Sequence, residues 1–189
     1  MNLGGYFYTE EDLRSIGFRK IGKNIKIHSR SSIYGIENIT IGDNVRIDDF
    51  AIIIGTGLVE IGSYVHIPNF CYIGATYGVT LEDFTTLAPG VMIFTLSDDY
   101  LGNKLTNPTV PREYTGGKAG KVTLRRHVII GAGSVILPGS TVGEGSSVGA
   151  LSLVNKDLKP WGVYAGIPAK WIKDRKKDML LLEKRLKDG

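Results

Sequence analysis

Aliphatic residues recur every six positions over most of this chain. Between residues 120 and 154 they stand at Leu124, Ile130, Ile136, Val142, Val148 and Val154. Two positions before each is a small or β-branched residue: Val122, Val128, Ser134, Ser140, Ser146 and Ser152. Glycines at 131, 133, 139, 143, 145 and 149 fill the gaps. An α-helix, at 3.6 residues per turn, scatters every sixth residue around its circumference. A short strand, a corner and another short strand instead keep the series on one inner wall, which is the signature of a β-solenoid.

The same step organises the first half. Ile21, Ile27, Ile33 are followed by Ile41, Ile47, Ile53, then Ile61, Ile67, Ile73, then Leu81, Leu87, Ile93. Successive triplets start 20 positions apart, so each early coil has sides of 6, 6 and 8 residues. The pattern predicts an all-β solenoid, a triangular prism of about six coils over residues 21–156. Residues 1–20 read as a cap: Thr9 is an N-cap, acidic residues follow it, Leu13 and Ile16 give an apolar side, and Gly17 ends the helix. Residues 157–189 form a C-terminal segment with an amphipathic helix at 174–187, its stripe being Met179, Leu182 and Leu186.

The six-step fails once. From Ile93 to Leu124 the chain advances 31 positions, so a loop over 95–120 is extruded from the prism. Tyr100, Leu101, Leu105, Val110 and Tyr114, stiffened by Pro108 and Pro111, are too apolar for plain disorder, so the loop is expected to pack, most plausibly on a neighbouring subunit.

Composition narrows the function. The net charge of +4 is accounted for by residues 170–189, with eight basic and four acidic side chains, so the prism lacks the basic face of a nucleic-acid binder. No apolar run is long enough for a membrane span and no leader is visible, so the cytoplasm is the expected compartment. The single cysteine, Cys71, sits at an inward position and reads as core rather than nucleophile.

The candidate chemistry lies on outward positions. His66 points away from the core, with Arg46 one coil before it, Thr86 one coil after, and Asp48, Asp49, Asn69, Thr76 and Tyr77 close by. A solvated surface histidine is the competing reading. Ser97, Asp98 and Asp99 stand at the root of the loop, where aspartates also serve as turn residues. Lys156, Lys170 and Lys173 flank the segment 166–168 and are placed to meet phosphates.

The hexapeptide ladder, the loop after Ile93, and the stretches GAGSVILPG and VGALSLVNKDLKPWGVYAGIPAKWI resemble the left-handed β-helix acyltransferases. The branch is that of the galactoside, maltose and virginiamycin acetyltransferases, especially the sugar O- and N-acetyltransferases of bacterial surface-polysaccharide clusters. The resemblance covers about residues 21–173. It implies a left-handed parallel β-helix, a homotrimer with sites in the grooves between prisms, and acetyl-CoA as co-substrate. The co-substrate contacts fall on Ala132, Ala150, Asn155, Lys156, Lys170 and Lys173. The sugar acceptor, an amino- or hydroxy-sugar, free, lipid-linked or nucleotide-linked, falls near Asn69, Thr76, Asp99 and Tyr100. Relatives carry a catalytic histidine at the loop root, where this chain has Asp98. A hydroxyl acceptor needs a base within reach; the expected arrangement is His66 as base and Asp98 as orienter or substrate ligand. An amine acceptor needs less help. Transfer is expected to be direct, without a covalent intermediate.

Four other readings stand beside this one. An O-acetyltransferase of a non-sugar small molecule, such as an antibiotic, has the same architecture. A γ-carbonic anhydrase needs three convergent zinc histidines, and this chain has only His28, His66 and His127 on unrelated corners, so no metal is expected. A serine acetyltransferase needs a long helical N-terminal domain, which this chain lacks. A non-catalytic solenoid would show no CoA affinity.

Overall fold

A computed structural model describes residues 4–188; residues 1–3 and 189, the ends of the two predicted terminal segments, lie outside it. The chain winds into a prism with three parallel sheets as faces. The first face runs from Lys20–Ile21 to Thr141–Val142, the second from Lys26–Ile27 to Gly162–Ala165, and the third from Ser32–Tyr34 to Leu153–Val154. The register is that of the six-step: Ile21, Ile41, Ile61, Leu81, Leu124 and Val142 are successive partners on the first face. The extruded segment interrupts this ladder between Leu81 and Leu124 without shifting it. Every aliphatic of the series is buried except Ile21 and Ile33, which lie in the first coil and have a neighbouring coil on one side only. Burial pushes the Cys71 thiol up to about 11, as suits an inert core residue.

Helix α1 (Glu10–Ser15) covers the open end and buries Leu13. Its start is a capping box: the Asp12 amide donates to Thr9 Oγ1 at 3.1 Å, and the Thr9 amide donates to Asp12 Oδ2 at 3.0 Å.

The far end departs from expectation in three ways. After six full turns comes a partial seventh, in which Leu158 pairs with Val142 and Tyr164 with Val148. Its step from Val154 to Leu158 is four rather than six, which hid it. Residues Lys170–Asp174 are not the start of the helix but a strand antiparallel to Gly162–Ala165. Helix α2 is Met179–Asp188, and its leucines do not face the core: Leu182 is 62% exposed and Leu186 54%.

What docks α2 is charge. Glu183, only 9% exposed at its side chain, accepts hydrogen bonds from His127 Nε2 at 2.7 Å and Lys187 Nζ at 2.6 Å, and also pairs with Arg126. Just before the helix, Arg175 Nη1 donates to the carbonyls of His127 and Gly145 at 2.8 and 3.0 Å. His127 belongs to a column at the corner between the first and second faces. Asn24, Asn44, Tyr64, Phe84 and His127 all take φ between 56° and 60° there. The left-handed backbone throws their side chains outward, one above another. Asn24 Nδ2 donates to Asn44 Oδ1 at 3.1 Å, and the rings of Tyr64, Phe84 and His127 stack at 4.7 and 5.0 Å.

Burial raises the Glu183 carboxyl, but hydrogen bonds from Lys187 and His127 and the charge of Arg126 outweigh it and hold the group below its usual range. A carboxylate with a depressed folded-state pKa stabilises the fold above its ordinary range, and that contribution is lost as pH falls through it. Glu183→Gln is expected to cost about 1–3 kcal/mol at neutral pH. In thermal melts its deficit against the parent should close as pH drops below about 4; a deficit independent of pH would remove the ionic account of the docking.

Candidate active site

The predicted site residues fall on the two edges of the third face. Along the edge between the second and third faces lie Asn69, Ala132 and Ala150, in coils three, five and six. Backbone hydrogen bonds tie this edge together: Gly90 donates to the Asn69 carbonyl at 3.2 Å, Gly133 to Pro89 at 3.0 Å, and Leu151 to Ala132 at 2.8 Å. The edge is smooth of necessity. A Cβ on Gly131 would lie 2.4 Å from the Ala150 amide nitrogen, so no larger residue fits there without backbone movement.

His66 stands on the second face beside this edge, paired in register with Arg46 and Thr86. Its Nε2 is 2.8 Å from Asp48 Oδ2, and Asp48 Oδ1 accepts from Arg46 Nε at 2.6 Å. Burial raises the Asp48 carboxyl, but the hydrogen bonds from His66 and Arg46, with their charges, prevail and leave it lowered. An ionised Asp48 can only accept, so His66 Nε2 donates and Nδ1 is left to take a proton. Sequence reading noted Asp48 as a neighbour but missed this pairing. The signal was the diagonal 18-residue offset, one coil back and two positions on.

The opposite edge, between the third and first faces, carries Thr76 and the root of the extruded segment. Strand Leu96–Asp98 pairs antiparallel with Gly117–Ala119, opposing Asp98 to Gly117. Gly117 has φ +146°, and a Cβ there would lie 1.9 Å from the Ser97 carbonyl oxygen, so this close approach fixes Asp98. Thr76 and Asp98 line one cleft of about 680 Å³, together with Asn107, Arg112 and Thr115.

Asp99 does not join them. Its carboxylate accepts the amides of Leu101 and Lys104 at 2.8 and 2.7 Å, the turn role that competed with substrate binding, and the first of these bonds does most to hold its carboxyl low. Tyr100 is 91% exposed and lines a neighbouring cleft instead. Asn155 and Lys156 follow the last strand of the third face, on the Asp98 edge but two coils further on. Lys170 and Lys173 lie exposed on the added strand beyond the second face, Lys170 opposite Ala165. One chain therefore gathers His66, Asn69, Ala132 and Ala150 on one edge, and Thr76 and Asp98 on the other. The third face separates the two groups. No cluster of three or more His, Cys, Asp or Glu able to hold a metal occurs among the described residues.

No protein-family model matches the chain. It is 42% identical over 178 residues to the dTDP-4-amino-4,6-dideoxy-D-glucose acyltransferase of Escherichia coli, covering 94% of this chain and 93% of that one. The chain belongs to the left-handed β-helix acyltransferases. The crystal structure of an aspartate-to-alanine variant of AntD, an N-acyltransferase from Bacillus cereus, in complex with dTDP and coenzyme A, superposes with a TM-score of 0.93. It is 43% identical, over 98% of this chain and all of that one. AntD has also been solved with dTDP-4-amino-4,6-dideoxyglucose and coenzyme A, and with dTDP and 3-hydroxybutyryl-CoA. A maltose O-acetyltransferase from Clostridium difficile matches less well, with a TM-score of 0.58 and 25% identity over 88% of this chain and 75% of that one. This acyltransferase is an enzyme, so the reading as a non-catalytic solenoid falls. Among its described residues no helix is long and apolar enough to cross a membrane.

Proposed function

We propose that this chain transfers an acyl group from acyl-CoA to the amine of a dTDP-linked 4-amino-4,6-dideoxy sugar. The observation that carries the reading is the likeness over nearly the whole chain to acyltransferases of that substrate class. The dTDP sugar is the acceptor and acyl-CoA the co-substrate. Such sugars feed surface polysaccharides such as lipopolysaccharide, and the cytoplasm is the compartment proposed for the reaction.

The active unit is a homotrimer. On the first face the outward row is Thr40, Glu60, Thr80, Thr123 and Thr141, a polar wall. On the third face the outward row is Ile52, Tyr72, Met92, Val135 and Leu153, flanked at its corner by Phe50 and Phe70. A contiguous apolar sheet face needs a partner. Three copies packed by this face about a threefold axis bring the Asn69–Ala150 edge of one chain beside the Asp98 edge of the next. Donor and acceptor residues then share a groove that neither chain has alone.

In that groove, Ala132 and Ala150 leave room for a thin pantetheine arm, with Asn155 and Lys156 along it and Lys170 and Lys173 near the nucleotide phosphates. Asp98, Thr76 and Asn69 hold the amino sugar. The amine attacks the thioester carbonyl carbon, the tetrahedral intermediate collapses, and the C–S bond breaks. His66 Nδ1, backed by Asp48, takes the proton from the nitrogen and the departing thiolate receives one, so amide and free CoA thiol are the products. O-acylation of a hydroxy sugar is the second reading. The His66–Asp48 pair favours it, since an alcohol needs a positioned base where a neutral amine does not.

Thiol release from acetyl-CoA, across dTDP sugars paired as 4-amino and 4-hydroxy analogues, tests the choice. Turnover confined to the amines is expected; turnover of the hydroxy partners alone would establish O-acylation instead. His66→Ala is expected to lower kcat/KM by about 10²-fold, the low end for general-base catalysis, with CoA affinity kept. Unchanged turnover between pH 6 and 9 would take His66 out of the reaction. Light scattering should give three times the 20.6 kDa chain mass, and Met92→Asp should reduce it towards a single chain; a parent that runs as a monomer would refute the shared groove.

A further inference from the structure

The cleft beside Asp98 holds two opposite charges, neither of which forms an ion pair among the described residues. Asp98 lines it, and so does Arg112, from the short turn Arg112–Tyr114. Some charges on the prism are paired: Glu60 with Lys121, Glu82 with Arg125, Asp48 with Arg46, Glu183 with Arg126. Among the described residues, Asp98 and Arg112 share the cleft without forming an ion pair. Both are held by backbone. Asp98 is fixed by its pairing with Gly117, and Arg112 follows Pro111, whose ring presets φ at −53°. Leu96, Val110 and Ala119 add apolar side chains to the same lining. A cleft lined by an anion, a cation and apolar side chains fits a ligand that carries a cation, an anion and an apolar group.

We propose that Arg112 is the diphosphate-binding residue of this enzyme, with Asp98 taking the amine at the far end of the same sugar. This rests on the reading of the acceptor as a nucleotide-linked amino sugar. In a 4-amino-4,6-dideoxy pyranose carrying the nucleotide at C1, the amine and the diphosphate leave opposite sides of the ring. The C6 methyl is an apolar group between them. Arg112 presents a planar fork that meets two phosphate oxygens at once, which a lysine cannot do. The cleft volume, about 680 Å³, lies within the usual range for small-molecule sites.

The test separates this residue from the reading it depends on. Arg112→Ala is expected to raise KM for the dTDP amino sugar, and the Kd of dTDP alone by calorimetry, by about tenfold or more. KM for acyl-CoA should stay within about twofold, and Arg112→Lys should recover part of the loss. The same amino sugar without its nucleotide should be acylated equally by parent and variant, because it offers no diphosphate. Lys118→Ala, on the neighbouring cleft, is the control for a general loss of positive charge. An unchanged dTDP Kd in both Arg112→Ala and Arg112→Gln would overturn the assignment while leaving N-acylation intact. A parent enzyme that binds no dTDP would instead overturn the acceptor reading, and this proposal with it.

Discussion

The parallel register between coils is the constraint on which everything else depends. Strand side chains alternate faces, so a slip of one residue between coils would turn the aliphatic row outward and bury the polar one. The chain prevents this by placing Ile, Leu or Val at the same rung of each turn, from Ile21 through Val142 on the first face. A cooperative column of that kind tolerates a long excursion. The chain leaves after Phe94, returns before Val122, and Leu81 still meets Leu124. Because the prism stays rigid across the break, the hairpin root formed by Leu96–Asp98 and Gly117–Ala119 projects from a fixed frame. Asp98 inherits that precision.

The inner wall of the six full turns was legible because burial writes a simple rule into sequence, while the partial seventh turn broke the step. The outer surface obeys no such rule, and the errors fall there. The column from Asn24 to His127 has a 20-residue period as clear as that of the core. It went unread because its residues are polar in two coils, aromatic in two and histidine in one. What they share is a left-handed backbone, which composition does not announce. Helix α2 misled for a related reason. A stripe of leucines normally marks the buried side, yet here one buried carboxylate, meeting Arg126, His127 and Lys187, sets the orientation. The strand Lys170–Asp174 was hidden because antiparallel pairing to Gly162–Ala165 is a tertiary choice with no periodic trace in five residues.

For the site, residue identity was easier to read than role. Asp98 and Asp99 look alike in sequence, but one faces a cleft and the other caps its own turn, a difference made by the geometry of Gly117 and the loop behind it. His66 was visible as an outward histidine. Its pairing with Asp48 depends on the pitch of the coil, which brings residues 18 apart into contact. Nor could spacing reveal that Ala132 and Ala150 lie on one edge of the third face and Thr76 and Asp98 on the other. That separation follows from the three-sided winding itself, since residues before and after a third-face strand must lie on different corners.

The same separation bears on Asp98, which stands where the resemblance implies a histidine base. In the proposed trimer each groove draws on two chains, so the acid–base group need not sit on the loop proposed to carry the acceptor. An aspartate at the loop root is a poor base for an alcohol, because its ordinary pKa lies far below that of a sugar hydroxyl. It is well suited to holding an ammonium before the proton leaves. In the proposed mechanism the anion on the Asp98 edge and the His66–Asp48 pair beside the opposite edge divide the work. On that proposal Asp98 holds the ammonium, and His66 takes the proton that frees the nitrogen lone pair for attack. The second proton passes from the tetrahedral intermediate to the departing thiolate. An acceptor that arrives charged makes an aspartate at this position more useful than a histidine.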